Sequence, residues 1–166
     1  MPYTDRFISA DNLIAHFTTI VPSIVDPVIQ SSYAGFLSVT AVTVFELSIK
    51  DIFNEFAIKK NKVFGKFVQK HFERINGQIG ISSLRGKHIP LFGDKYLKKF
   101  DKILNPKDAA HIALHHTSIK TSYENLITCR HKFVHGGTPT LSITEVISGY
   151  NLGKEVVHTL NDAMKR

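Results

Sequence analysis

The expected fold follows from the stretch LITCRHKFVHGG, which runs from Leu126 to Gly137. A long segment without glycine or proline precedes it, and Pro139 comes soon after it. Two glycines followed by a proline are a helix stop signal. The pattern therefore places Arg130 and His135 on the last turns of a long helix.

The residue types in this stretch suit chemistry on a phosphate. Arginine is a permanent cation with a planar fork that fits phosphate oxygens, and histidine exchanges a proton near neutral pH. On an ideal helix Arg130 and His135 lie about 140° apart, so they share a face only if the last turn loosens or the arginine stem reaches round. His131 and His135 are four residues apart and share a face. The alternative is that these basic residues only cap the helix C-terminus.

The segment Arg130–Gly136 resembles the signature of the HEPN superfamily of helical ribonuclease domains. That signature is an arginine, a polar residue, three variable positions and a histidine, commonly followed by glycine. The polar position is often Asn, Asp or His, and here it is His131. HEPN domains typically carry an acidic residue on an earlier helix, and Glu46 matches it. The layout over about residues 33–162 is similar to the RiboL-PSP-type branch.

The resemblance implies a metal-independent endoribonuclease that needs no cofactor. His135 is then the base or acid for the 2′-hydroxyl proton, and Arg130 stabilises charge on the phosphoryl oxygens. His131 is a second proton carrier or a substrate contact. Glu46 faces the helix of Arg130 and orients the guanidinium. The expected products are a 2′,3′-cyclic phosphate and a 5′-hydroxyl.

The resemblance also implies partners. HEPN nucleases usually form homodimers in which two Arg–His motifs meet, so we expect a homodimer with the site at the interface. The superfamily is known for toxins and for anti-phage or stress defence. A neutralising antitoxin or a sensor protein is therefore expected, with RNA as the substrate.

The composition of the 166 residues is that of a globular protein, with 43% hydrophobic and 21% charged residues. This length predicts a single domain over residues 1–166. Cys129 is the only cysteine, which fits a reducing compartment. The sequence has no signal-peptide pattern and no apolar stretch that would span a bilayer. We therefore expect a cytoplasmic protein without membrane contact.

The net charge of +7 is concentrated in the middle of the chain. Residues 59–107 hold 13 basic and 3 acidic residues, a local charge of +10. Such a region is typical of a protein that binds a polyanion, although a lysine-rich surface selected for solubility gives the same pattern. The candidate substrate-binding residues are Lys50, Arg85, Lys87 and Lys132.

Hydrophobic periodicity predicts an all-α fold, a HEPN-like bundle of about five helices. Seven of the twelve phenylalanines lie between residues 36 and 72, and their helical spacing indicates core positions. Asn105-Pro106 is interpreted as the start of the helix that ends at His135. The predicted helical segments are 4–24, 28–60, 62–75, 94–104, 105–135 and about 144–164, with an irregular segment at 76–93 that includes a short helix at 81–86.

Other functions remain open at this point. A non-catalytic helical module would bind RNA or a protein through the same surface. A metal-dependent hydrolase would use the His111/His115 or His131/His135 pair, because two histidines four residues apart can hold Zn²⁺, Ni²⁺ or Cu²⁺. No third ligand has suitable local spacing. A DNA-binding regulator is a weaker alternative, since no helix-turn-helix pattern is evident.

Overall fold

The computed structural model describes residues 2–165, and these residues are almost entirely helical. They contain no β-strand, so the predicted all-α fold is confirmed. Residues 2–165 form seven α-helices, whereas about five were expected. They are α1 (Asp5–Ile20), α2 (Pro27–Lys60), α3 (Lys62–Phe72), α4 (Ile81–Ser83), α5 (Asp94–His115), α6 (Ile119–Val134) and α7 (Ile143–Met164).

The central element is α2, which packs against α1, α3, α6 and α7. Asp26 caps its first turn by accepting a hydrogen bond of 2.8 Å from the Val28 amide. Midway along α2, the Phe45 ring stacks on Tyr150 of α7 with centroids 5.5 Å apart. Gly153 lets α7 approach, because a Cβ there would lie 2.5 Å from the Phe45 ring. Each large side chain buried in this core contributes about 1.5–3 kcal/mol.

The predicted start of a helix at Asn105-Pro106 is wrong. Pro106 lies inside α5, which begins twelve residues earlier at Asp94. The buried residues of α5 are Tyr96, Phe100, Leu104 and Asp108, which recur every four residues on both sides of the proline. Packing of this continuous face outweighs the hydrogen bond that Pro106 cannot donate.

The predicted continuous helix from residue 105 to 135 is also wrong, because it breaks between α5 and α6. His116 adopts a left-handed backbone with φ 55°. Ser118 then caps α6 by accepting a hydrogen bond of 3.1 Å from the Thr121 amide. The buried Asp108 carboxylate accepts hydrogen bonds from the Ser118 hydroxyl at 2.9 Å and the Lys120 amide at 3.2 Å. Hydrogen bonds from side chains therefore separate the two helices at a point where the sequence has neither glycine nor proline.

The interpretation of all seven phenylalanines as core residues is wrong for Phe36 and Phe67. Their side chains are 57% and 67% exposed. The helix α3 buries a single stripe of Gly65, Val68 and Phe72, and Phe67 lies outside it. Apolar residues occupy more than one face of α3, so periodicity alone does not identify the buried face.

The segment between α3 and α5 was predicted to be irregular with a short helix at 81–86, but its helical part extends from Ile81 to Phe92. The single turn α4 continues into a π-helical turn over Leu84–His88 and a 3-10 turn over Ile89–Phe92. Ser142 caps α7 in a capping box with Glu145. Within residues 2–165, no helix is both long and apolar enough to cross a bilayer.

Candidate functional site

The candidate site lies at the C-terminal end of α6, where the helix ends as predicted. His135 is the residue that caps the helix. The Gly136 amide donates to the Phe133 carbonyl at 3.2 Å, and the Gly137 amide donates to the Lys132 carbonyl at 2.9 Å. This pair of hydrogen bonds is a Schellman motif, and Gly136 supplies its left-handed residue with φ +80°.

Phe133 attaches this helix end to α2. Its ring meets Phe36 edge to face, with centroids 5.3 Å apart. The ring also lies over Gly35, where an added Cβ would overlap it. On the inner side of α6, Leu126 and Cys129 are fully buried. These contacts fix the direction in which the motif leaves the core.

The two histidines of the motif lie on the exposed side. Both His131 and His135 are exposed, and their ring centroids are 4.5 Å apart with an interplanar angle of 59°. The predicted shared face is confirmed. Lys132 is also exposed, between the two histidines in sequence. The arrangement presents two imidazoles and one ammonium group to a ligand in solvent.

Glu46 does not contact Arg130 directly, contrary to expectation. Its Oε1 accepts a hydrogen bond of 2.7 Å from Lys50 Nζ, and its Oε2 accepts one of 2.7 Å from the Gly77 amide. The hydrogen bonds and ion pairs of residues 2–165 include none between Glu46 and Arg130. The carboxylate is occupied by a neighbour on α2 and by the backbone of the loop that follows α3.

Gly77 connects the two side chains. A Cβ built on Gly77 would lie 3.5 Å from Arg130 Nη1, so the guanidinium sits against this glycine. Gly77 has φ +75°, a conformation that other residues rarely adopt. The Arg130 Nε is buried and has no hydrogen-bond partner within the described chain. Glu46 and Arg130 are therefore linked through Gly77, whose amide binds Glu46 and whose Cα side faces the guanidinium.

Three further side chains hold this loop, and sequence reasoning missed their role. The Tyr123 hydroxyl donates to the Ile79 carbonyl at 2.9 Å, and Glu124 Oε1 accepts from the Ile81 amide at 2.6 Å. Burial raises the pKa of Tyr123 well above its ordinary value, so the hydroxyl remains a donor. Tyr123 lies two turns before Arg130 on α6 and shares its face, a spacing that the sequence does display.

The third side chain is His88. Its Nε2 lies 2.8 Å from the Gln78 carbonyl, and since a carbonyl only accepts, Nε2 carries the proton. Burial lowers the pKa of His88 and favours the neutral ring. Its Nδ1 is buried without a partner within the described chain. His88 is only 4% exposed, so its ring is not available to a nucleic-acid backbone.

The four candidate substrate-binding residues are not brought together. Lys50 is bound to Glu46, and both its side chain and that of Glu46 are largely buried. Arg85 forms a two-point contact with Asp101, with both N–O distances 2.9 Å. Lys87 lines a separate groove, and Lys132 lies within the motif. The structure thus leaves Lys87 and Lys132 available to a ligand.

The second histidine pair has a geometry similar to that of the motif. The rings of His111 and His115 have centroids 4.6 Å apart. His111 Nδ1 lies 2.7 Å from the Thr117 carbonyl. No group of three or more His, Cys, Asp or Glu side chains suited to a metal ion occurs within residues 2–165.

Residues 5–166 match the family model described as RiboL-PSP-HEPN. The chain belongs to the RiboL-PSP-HEPN family. The resemblance carried by Arg130–Gly136 and Glu46 is therefore confirmed at the level of the superfamily and of its branch. No curated protein and no solved structure matches the chain significantly. HEPN domains are often ribonucleases, and they often bind RNA and dimerise.

Proposed function

We propose that this RiboL-PSP-HEPN protein is a metal-independent endoribonuclease. The observation that carries the proposal is the arrangement at the end of α6. Two exposed imidazoles lie 4.5 Å apart there, and in the same motif Arg130 rests against the loop glycine that Glu46 holds. Proton carriers and a permanent cation are the groups that RNA cleavage through its own 2′-hydroxyl requires.

In the proposed reaction, a base takes the 2′-hydroxyl proton and the 2′-oxygen attacks the adjacent phosphorus. The bond from phosphorus to the 5′-oxygen breaks, and that oxygen leaves with a proton. The products are a 2′,3′-cyclic phosphate and a 5′-hydroxyl. We assign one proton transfer to His135, and either the second transfer or a substrate contact to His131. Arg130 stabilises the charge that develops on the phosphoryl oxygens.

Glu46 is assigned a positioning role. Its hydrogen bond to the Gly77 amide fixes the surface on which the Arg130 guanidinium lies. Lys50 Nζ lies 2.7 Å from the Glu46 carboxylate, so Glu46 has an ion-pair partner other than Arg130. The positive charge of Arg130 is therefore not paired with Glu46 and can interact with a phosphate.

One chain offers few catalytic groups, and we propose a homodimer with the site at the interface. An exposed apolar strip at the motif supports it, since Phe36 and Val134 are 57% and 43% exposed. Phe36 also contacts Phe133 of the motif, so burying this strip would bring two motifs together. We further propose a cytoplasmic toxin or defence role, with an antitoxin or sensor as the neutralising partner.

The test is cleavage of a broad RNA pool by the purified protein in EDTA. Removing His135 in His135→Ala should slow cleavage about 10²–10⁴-fold, because one proton transfer loses its catalyst. Arg130→Ala should slow it about 10²–10³-fold through loss of charge stabilisation. His115→Ala is the matched control, since it disrupts a histidine pair of nearly the same geometry outside the site. It should cleave like the wild type and leave cyclic-phosphate ends.

Two results would replace the proposal. A folded, dimeric wild type that binds RNA without cutting it would identify a non-catalytic binding module. Activity that is abolished by EDTA and by His115→Ala would identify a metal-dependent hydrolase that uses the α5 pair.

A further inference from the structure

A groove of about 420 Å³ lies between α3 and the irregular segment, and the exposed histidines of the motif do not line it. Its polar lining consists of His71, Arg74, Gln78, Lys87 and His88. Leu91, which is 57% exposed, forms an apolar part of the lining. We call this feature the α3 groove.

The α3 groove is positively charged, and its charge is not compensated. Arg74 and Lys87 are exposed, and neither takes part in an ion pair within residues 2–165. The nearby cations differ in this respect. Lys70 is paired with Glu73 at 3.1 Å, and Arg85 is paired with Asp101. Two unpaired cations at one groove are suited to two phosphate groups.

An exposed aromatic ring continues the lining along α3. Phe67, His71 and Arg74 follow one another at four and three residues, so they share a face of the helix. The Phe67 ring is 67% exposed and stacks nearly parallel to the His71 ring, with centroids 6.3 Å apart and an interplanar angle of 16°. Aromatic rings beside a cationic groove are how proteins hold the bases of single-stranded nucleic acid.

The α3 groove is also connected to the candidate site. Gln78 lines the groove, and the preceding residue, Gly77, is the glycine against which Arg130 rests. The Gln78 carbonyl is fixed by His88, and the Gly77 amide is fixed by Glu46. A nucleic-acid strand bound at Arg130 can therefore follow the hydrogen-bonded backbone of Gly77 and Gln78 into the groove.

We propose that the α3 groove is a subsite for single-stranded RNA flanking the cleaved bond. Arg74 and Lys87 contact two backbone phosphates, and Phe67 stacks on one base. The choice of RNA as the ligand rests on the proposed function. The contacts are made to phosphate and base faces, so they give affinity without strong sequence preference.

The test measures binding apart from cleavage, by fluorescence anisotropy with a 2′-O-methyl RNA 12-mer that lacks the attacking hydroxyl. The double variant Arg74→Ala/Lys87→Ala should bind about tenfold more weakly at 0.1 M salt. Because about 0.7 of a counterion is released per single-strand phosphate contact, its slope of log affinity against log salt should be shallower by about 1.4. Phe67→Ala should weaken binding about tenfold with an unchanged slope.

The matched control is Lys98→Ala/Lys102→Ala, which removes the same charge from exposed positions of α5 outside the groove lining. It should bind within about twofold of the wild type. Equal weakening in both double variants would overturn the proposal, because general charge would then explain the affinity. Equal affinity of the wild type for duplex DNA would also overturn it.

The two proposals fail separately. If the wild type cleaves RNA and the groove variants bind and cleave like it, the α3 groove proposal fails and the proposed function stands. If the wild type never cleaves RNA but binds the 12-mer in a groove-dependent way, the proposed function fails and the groove stands. The substituted side chains are exposed, so each variant is expected to melt like the wild type.

Discussion

Gly77 shows that the contacts within the candidate site, unlike its motif residues, become evident only in the structure. Arg130, His131 and His135 lie within six residues of one another in sequence, and Glu46 was identified by resemblance. Neither their spacing nor the resemblance indicates that a glycine between α3 and α4 lies against Arg130. The loop was predicted as irregular, but which glycine meets which helix depends on tertiary packing.

A substitution at Gly77 tests this role. Gly77→Ala should lower the free energy of unfolding by about 1–2 kcal/mol, because alanine disfavours the left-handed backbone. The added methyl would lie 3.5 Å from Arg130 Nη1, an ordinary contact, so the cost is conformational and not steric. Urea unfolding measures it.

Gly86→Ala is the matched control, because no atom lies within 4 Å of a Cβ there and the residue has no positive φ. It should be within about 0.5 kcal/mol of the wild type. Equal destabilisation by both changes would contradict a special backbone role for Gly77.

At the scale of elements, the contact between α2 and α6 places the motif. Gly35 on α2 lets the Phe133 ring lie directly on the helix backbone. The sequence indicated a helix with one glycine, and the helix was found with nearly the predicted bounds. That the glycine marks a close approach of α6 was not predictable, because periodicity describes one helix and not its neighbour.

Gly35→Ala should therefore affect both stability and activity. The new Cβ would overlap the Phe133 ring, and such overpacking typically costs about 1–3 kcal/mol. Displacement of α6 should also reduce the rate of RNA cleavage per folded molecule. Urea unfolding and cleavage are measured on the same samples. A stable variant with full activity would show that the contact does not position the motif.

The division between α5 and α6 marks the limit of sequence reasoning at this scale. The start of α2 near residue 28 and the start of α7 near residue 144 were predicted to within one residue. Pro106 was misread as a helix start, and the break at Ser118 was not predicted. A proline start signal was overridden by the buried face of α5, and a break was made by the carboxylate of Asp108.

For the whole molecule, one buried and one partly buried histidine predict a dependence of stability on pH. Burial lowers the pKa of both His88 and His158. Each is more readily protonated in the unfolded chain, so the free energy of unfolding should be highest above about pH 6.5 and should fall as the pH drops below it. Hydrogen bonds from Ser142 lower the pKa of Glu145, so its contribution is lost only below about pH 4.5.

Urea unfolding between pH 7.5 and 5.5 measures this dependence. The double variant His88→Gln/His158→Gln should show a smaller decrease over that range, even if it is less stable at pH 7.5. An unchanged decrease would contradict the assignment to these two rings. The same experiment tests the proposal that residues 1–166 form one domain, which requires a single cooperative transition.

The loop that carries Gly77 is held from distant parts of the chain. Its hydrogen bonds to Glu46, Tyr123 and Glu124 span 31, 44 and 43 residues. During synthesis the loop leaves the ribosome well before Tyr123 and Glu124, and the motif follows them. A nascent chain therefore cannot assemble this site until α6 has emerged. If the protein is a toxin, translation itself delays its activity until α6 has been synthesised.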